Sequence, residues 1–288
     1  MLRLLITGAG SFVGESVRKY LARFPEDFLV DVLDMRTDAW KDADMRGYDS
    51  VFHVAGIAHA SPKPEMEPLY RAVNRDLAIA AAEKARACGV KQFIFMSSMI
   101  VYGDAAPVGT RRAIAADTAP APSGAYGQSK LDAENGIRAL EDGRFRAAIL
   151  RPPMIYGPGC RGNYNALRKF ARRSPVFPAI ENRRSALYIE NLAEFIRQLL
   201  LSGEGGIFFP RNARVASTAE FTRCIAAAYG KRIHCIHLFD PALRLLGRKG
   251  IVRRAFGDMA YDADLPGDPQ QYEVCGFEES IRRTEQNA

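Results

Sequence analysis

The chain has 288 residues, 48% of them hydrophobic and 25% charged, with a formal net charge of +7. That length can bury a full core, and the composition excludes a disordered or fibrous chain. No apolar run reaches the ~18 residues a membrane-spanning helix needs.

Leu2 to Ile6 is a short apolar run, the pattern of a buried parallel strand. It leads into Thr7-Gly8-Ala9-Gly10-Ser11-Phe12-Val13-Gly14. Apolar residues then recur at helical spacing: Val13, Val17, Tyr20, Leu21 and Phe24. The glycines therefore sit at a strand-to-helix turn. There Gly8 permits a tight turn, Gly10 lets the backbone approach a pyrophosphate, and Gly14 lets helix pack on strand. The free amides opening the helix would face the phosphates. Because this run is a strand entering a glycine turn, it is not read as a signal peptide.

Phe28 to Leu33 reads as the second strand, ending at Asp34, twenty positions beyond Gly14. A carboxylate there accepts both hydroxyls of an adenosine ribose and repels a 2′-phosphate, which favours NAD over NADP. Arg36 is the alternative, a ligand for that phosphate. Further strands are expected at Ser50–Val54, Gln92–Ser97 and Ala147–Leu150. Helices are expected at Phe12–Phe24, Glu67–Cys88 and Tyr126–Glu141. The stretch from Asp34 to Val51 is short, so its crossover helix should shrink to a turn. This β-α-β-α order predicts an α/β fold, a doubly wound parallel Rossmann sheet with a small C-terminal α/β substrate lobe.

The expected dinucleotide domain spans 1–157 and the lobe 158–288, with about 185–210 returning to the first domain. Pro152, Pro153, Gly157, Pro158 and Gly159 mark the junction. Beyond it, helices are expected at Tyr164–Arg172, Asn191–Leu201 and Thr218–Tyr229. Strands are expected near Leu187–Ile189 and Ile207–Phe209. Ligands of such sheets bind at the carboxyl ends of the strands. Val54-Ala55-Gly56, Ser97-Ser98 and Arg151-Pro152-Pro153 should gather there.

Tyr126 and Lys130 are four apart at the start of a predicted helix, on one face. An ammonium beside a phenol favours the phenolate, which would make Tyr126 a general base in alcohol oxidation and an acid in ketone reduction. Lys130 can also hold the nicotinamide ribose. Ser98 can hydrogen-bond the substrate oxygen whose charge changes, and Ser97 is expected to face the cofactor. A surface helix pair and two strand-end serines are the plain alternatives. The upstream dinucleotide turn outweighs them.

The five cysteines (Cys88, Cys160, Cys224, Cys235, Cys275) are odd in number and lack metal-ligand spacing, which points to free thiols in a reducing cytoplasm. His53, His59, His234 and His237 form no zinc pattern, and no metal is expected. Basic residues thicken at Arg244, Arg248, Lys249, Arg253 and Arg254. Without interleaved aromatics, this run reads as a solvated face near an anionic small substrate. No nucleic-acid or membrane partner is expected.

These residues resemble the extended short-chain dehydrogenases/reductases, of the NAD-dependent epimerase/dehydratase type that acts on nucleotide sugars. The resemblance rests on the glycine turn, Asp34, Phe52-His53-Val54-Ala55-Gly56, Asn74, Ser97-Ser98-Met99-Ile100-Val101-Tyr102-Gly103, Tyr126-Gly127-Gln128-Ser129-Lys130 and Leu150-Arg151-Pro152-Pro153-Met154-Ile155-Tyr156-Gly157-Pro158-Gly159. It implies that Ser11, Phe12 and Val13 belong to the pyrophosphate loop. It places Asp44 and Met45 at the adenine, Val54, Ala55 and Gly56 along the cofactor, Asn74 near its ribose or phosphates, and Pro153 at the nicotinamide side. Arg184 aligns with a diphosphate-binding arginine, and Arg254 is a candidate second one.

Three departures narrow the reaction. Met99 and Ile100 stand where sugar dehydratases carry an Asp-Glu pair, which argues against dehydration. Met154 stands where several epimerases place a substrate-touching Asn, and Ala58 replaces a supporting Lys. The resemblance thus implies a UDP-sugar 4-epimerase acting through a 4-keto intermediate, with Ser98, Tyr126, Lys130, Met154, Arg184 and Arg254 around the sugar nucleotide. A nucleotide-sugar 4-keto reductase using NAD(P)H is the alternative, and a non-enzymatic NAD(P)-binding regulator is the alternative of another class. A homodimer through the Glu67–Cys88 and Tyr126–Glu141 helices is implied as well.

Overall fold

The computed structural model describes residues 1–58 and 64–286; His59 lies outside the described residues. Chain contacts divide it into two compact units. The first comprises Met1–Gly103, Pro120–Pro152 and Leu192–Pro210. The second comprises Asp104–Ala119, Pro153–Asn191 and the residues from Arg211 onward. The segment 104–119, inside the range read as the dinucleotide domain, thus clusters with the second unit. The return to the first unit runs from 192 to 210.

The first unit is built on a six-stranded sheet. Its strands are β1 (Leu2–Thr7), β2 (Phe28–Leu33), β3 (Ser50–His53), β4 (Gln92–Met96), β5 (Arg146–Leu150) and β6 (Gly206–Phe208). They lie in the order β6-β5-β4-β3-β1-β2, and every pair is parallel. The chain winds outward from β1 to β2, then restarts on the other side with β3. The carboxyl ends of β1 and β3 therefore flank the point where the winding direction reverses, the usual ligand crevice of such sheets.

Burial follows position in the sheet. All five residues of β4 are buried, as a strand covered on both faces requires. The edge strand β2 leaves Leu29 and Val32 exposed. Between β2 and β3 only a single 3₁₀ turn forms, Asp38–Lys41, and it buries Trp40. The helix Leu77–Ala87 buries Ala78, Ala81, Ala82 and Ala85 on the face toward the core cluster that includes Val51, Phe93 and Phe95. Small side chains at that spacing let its axis approach closely.

The helix expected at Glu67–Cys88 is continuous in direction but not in type. It begins as Glu67–Tyr70, widens into a π-helical stretch Arg71–Asp76, and resumes as Leu77–Ala87. Helix Ala125–Arg138 packs against both later parts.

The second unit has three short parallel strand pairs: Met154–Tyr156 with Ala186–Tyr188, Val176–Pro178 with His234–Ile236, and Ala113–Ile114 with Ala260–Tyr261. The Met154–Tyr156 strand was hidden in sequence by its Pro/Gly-rich flanks. The strand expected at Leu187–Ile189 ends one residue earlier, and Ile189 opens the helix Ile189–Ser202. Helices Asn163–Arg173, Thr218–Ala228 and Phe277–Gln286 enclose an aromatic core. Tyr156 and Tyr164 stack with centroids 5.3 Å apart, and Phe221 meets Phe277 edge-on at 4.8 Å. The buried hydroxyls are satisfied: Tyr156 pairs with Ser280 at 2.6 Å and Tyr164 donates to Glu285 at 2.7 Å.

Candidate active site

The glycine turn joins β1 to helix Phe12–Leu21. Gly8 has φ +111°, and a Cβ there would lie 2.7 Å from the Ala55 amide nitrogen. A Cβ on Gly14 would lie 2.6 Å from Ser11 Oγ and 3.1 Å from the side chains of Ile6 and Val54. Only glycine lets β1, the helix and the end of β3 come this close. Ser11 caps the helix by accepting the Gly14 amide at 3.2 Å. The Phe12 and Val13 amides, first in the helix, lie outside its internal ladder and are free for an anion.

Asp34 follows β2 as expected, and the structure joins it to its rival. The Arg36 guanidinium grips both Asp34 oxygens, Nε at 3.0 and 2.9 Å. These hydrogen bonds hold the Asp34 carboxyl down at about 2. Asp44 is gripped the same way by Arg46 and is also held at about 2. Met45 corrects the sequence reading: its side chain is fully buried in the core cluster, so only its backbone can reach a ligand.

Beyond β3, Val54, Ala55 and Gly56 border the turn. A Cβ on Gly56 would stand 3.0 Å from Asn74 Oδ1 and 3.4 Å from Lys130 Nζ, which puts these three residues together. Asn74 is buried in the π-helical stretch, a local widening frequent at functional sites. Its amide clamps Ile57, accepting from the Ile57 amide at 2.7 Å and donating to the Ile57 carbonyl at 3.1 Å. It also donates to Ser129 Oγ at 3.3 Å.

Ser98 ends β4 and opens the 3₁₀ turn Met99–Tyr102, accepting the Ile100 amide at 3.3 Å. Gly127 allows the helix Ala125–Arg138 to press on that turn, since a Cβ there would be 2.9 Å from the Ile100 carbonyl oxygen. The helix thereby brings Tyr126 to Ser98. Burial pushes the Tyr126 phenol up to about 12, against a lowering hydrogen bond with Ser98. This corrects the expectation that Lys130 lowers it. The Lys130 ammonium is turned to the Met96 carbonyl at 2.8 Å and lies 4.7 Å from the Phe95 ring centre. Burial brings Lys130 itself down to about 8, with the Glu134 carboxylate acting in opposition.

Ser97 does not present its hydroxyl to a ligand; it donates to Glu134. Glu134 also receives Arg151, whose Nε reaches both carboxylate oxygens at 3.1 Å. Arg151 Nη1 donates to the Tyr102 hydroxyl at 2.7 Å. The carboxylate outweighs the desolvation of Arg151 and raises its pKa. Ser97, Glu134, Arg151 and Tyr102 form a buried polar network one helical turn past Lys130. Sequence reasoning missed Glu134, although its place four residues after Lys130 on the same face was a usable signal. It missed His53 too. This fully buried ring pairs with Thr7 Oγ1 at 2.8 Å, and burial, helped by the Lys130 charge, lowers it to about 3.

Pro153, Met154, Arg184 and Arg254 belong to the second unit. Pro153 is buried and Met154 half-buried. Arg184 donates to the Gly257 carbonyl at 3.1 Å, and burial lowers its pKa. Arg254 is exposed, its Nε on the Gly250 carbonyl at 3.2 Å. This unit also holds a polar cavity of about 330 Å³ lined by Arg111, Asn182, His237, Asp240, Arg244 and Asp258 among others.

Comparison with known proteins gives the family and the fold. Residues 4–208 match the model of the NAD dependent epimerase/dehydratase family. The chain is 30% identical to a UDP-glucose 4-epimerase of Vibrio cholerae, covering 90% of this chain and 87% of that protein. It is 28% identical to a GDP-6-deoxy-D-mannose reductase of Pseudomonas aeruginosa, covering 72% and 73%. The crystal structure of UDP-glucuronic acid 4-epimerase from Bacillus cereus in complex with NAD superposes with a TM-score of 0.75 at 18% identity, covering 99% and 96%. The glycine turn, the parallel sheet and the Ser98–Tyr126–Lys130 group are thus set in a chain that belongs to the NAD-dependent epimerase/dehydratase family, among the extended short-chain dehydrogenases/reductases.

Proposed function

We propose that the protein is an NAD-dependent UDP-sugar 4-epimerase. The observation that carries this reading is the pairing of Ser98 with Tyr126, with Lys130 one helical turn on beside Gly56, at the carboxyl ends of β3 and β4. The fit to a dinucleotide is physical: open space beside Gly10, where a Cβ would meet nothing within 4 Å, two free amides and a carboxylate after β2. Phe12, Val13 and Asp34 would hold the pyrophosphate and ribose, with Gly56, Asn74 and Lys130 further along. When bound, NAD supplies hydride acceptance and return at the sugar C4.

The chain's own groups do the rest. Tyr126 takes the C4 hydroxyl proton as the alcohol becomes a ketone, and returns it after the sugar has turned. Ser98 donates to the same oxygen. Burial holds the phenol protonated in the free protein, so a positive charge brought beside it is what readies it as a base. Arg184 and Arg254 would take the substrate diphosphate within the second unit. Ser98, Tyr126 and Lys130 are all present, which disfavours the regulator reading. The 4-keto reductase reading is supported by the reductase relative, while Arg36, the candidate ligand for a 2′-phosphate, is held by Asp34. A homodimer through the Glu67–Ala87 and Ala125–Arg138 region and a cytoplasmic location complete the proposal. Five free thiols support the latter. Among the described residues no helix is long and apolar enough to cross a membrane.

Incubation with UDP-sugars, with and without added NAD(P)H, tests the reading. Interconversion of 4-epimers without added reductant supports it. Turnover of a 4-keto sugar only with NAD(P)H would replace it by the reductase reading.

A further inference from the structure

The basic run near 244–254 has a second property that sequence alone did not show. Of the twelve large hydrophobic residues exposed among the described residues, five fall between Leu238 and Ile251. Leu238, Leu245 and Ile251 are 78%, 85% and 78% exposed, and Phe239 and Leu246 are also uncovered. They lie on a 3₁₀ turn His237–Phe239 and two short helices, Asp240–Leu245 and Gly250–Phe256, all within the second unit. The cations Arg244, Arg248 and Lys249 are interleaved with them. None of these three has a carboxylate partner among the described residues, whereas Arg253 pairs with Asp104. The acid in the segment, Asp240, is engaged by His237 at 2.8 Å.

We propose that Leu238–Ile251 rests on the acidic headgroups of a lipid bilayer, with Leu238, Leu245 and Ile251 entering the interface. Aliphatic tips between cations on short helices are what such a surface recognises. The hydrocarbon tips gain by leaving water, while the cations stay among phosphates. A docking surface for a folded protein is instead depleted in charge at its core and richer in aromatic residues, whereas one of these five residues, Phe239, is aromatic. Stacking on nucleic-acid bases calls for aromatic platforms. The proposal does not depend on which nucleotide sugar is turned over.

The test is co-sedimentation of the full chain with phosphatidylcholine vesicles containing phosphatidylglycerol, against pure phosphatidylcholine vesicles, at low and high salt. Each cation near an acidic leaflet contributes about fivefold to binding, and salt screens it. The acidic vesicles should therefore bind at least about tenfold more tightly, and high salt should remove most of the difference. Arg248→Glu/Lys249→Glu and Leu245→Asp/Ile251→Asp should each weaken vesicle binding at least about tenfold. These positions are exposed and outside the candidate machinery, so turnover of a soluble UDP-sugar should not change. Circular dichroism checks the fold of each variant. Equal binding to both vesicle types overturns the proposal, as does undiminished binding by both variants. So does a dimer in sedimentation equilibrium that Leu245→Asp/Ile251→Asp dissolves, because a second copy would then cover the patch. Preference for a single-stranded oligonucleotide over the vesicles also overturns it.

Discussion

Removing the charge of Glu134 should be among the most destabilising conservative changes in the first unit. The Glu134 and Arg151 side chains are 1% and 6% exposed. Glu134→Gln keeps the shape but takes the carboxylate away from the buried Arg151 guanidinium, a loss of about 3–5 kcal/mol. That is a large share of a typical total of about 5–15 kcal/mol. Arg151→Met strands the carboxylate and should cost a similar amount. The double variant removes both charges, so its loss should fall short of the sum by about 2 kcal/mol or more. The Arg18–Glu15 pair is a control, since its side chains are 45% and 35% exposed, and Glu15→Gln should cost less than about 1 kcal/mol. The chain has one tryptophan, Trp40, buried in the core of the same unit, so urea unfolding followed by its fluorescence reads this unit directly. Single losses below about 1 kcal/mol, or strict additivity, would refute the view of a tightly coupled buried pair.

Other consequences are accessible to simpler assays. Tyr126→Phe should retain bound NAD yet lower UDP-sugar turnover by about 10²–10⁴; near wild-type rates would reassign the proton transfer. Asp34→Ala should weaken NAD binding about tenfold or more, through lost charge-assisted hydrogen bonds, and release Arg36 to meet a 2′-phosphate. Tighter binding of NADP than NAD by the unaltered protein would sink that role. Acid stability should report His53. The folded ring stays neutral down to about 3 while the unfolded one takes its proton near 6.5, so the unfolded state binds more protons between those values. Stability should therefore fall as pH drops from about 6.5, by about 1.4 kcal/mol per unit. His53→Gln, which cannot titrate, should flatten urea midpoints measured between about pH 6.5 and 4.5.

Local patterns made the sheet readable. An apolar run, a glycine turn and an acid two strands along the chain are sequence-near features, and the missing crossover helix followed from the few residues between Asp34 and Val51. The candidate catalytic trio was legible for the same reason: Tyr126 and Lys130 share a helix face by spacing, and Ser98 closes a strand. Properties set by distant neighbours were not legible. Met45 stands in a polar stretch, yet it joins the buried core cluster that also holds Trp40 and the alanine face of Leu77–Ala87. The pairing of Ala113–Ile114 with Ala260–Tyr261 gave no local sign, because two-residue strands carry no periodicity. The direction of the Tyr126 shift was missed because spacing places an ammonium near a phenol but cannot show that Met96 takes the ammonium. Nor can it show how much water the phenol has lost.

The sixth strand of the sheet has a consequence for synthesis. Gly206–Phe208 pairs with β5 only after the intervening second-unit segment has been made, and Gln92 of β4 waits for the carbonyls of Leu199 and Glu204. On the ribosome, a nascent chain ending near residue 160 exposes β5 as an open parallel edge, the kind of surface that recruits other strands. Closing so distant a contact is slow, because loop entropy is spent before the pairing returns anything. A fragment cut at residue 152 should thus aggregate when expressed alone. One that rejoins 192–210 through a short linker should stay dispersed. The order in which the pieces emerge, and not only the contacts they finally make, bears on how much active protein a cell obtains.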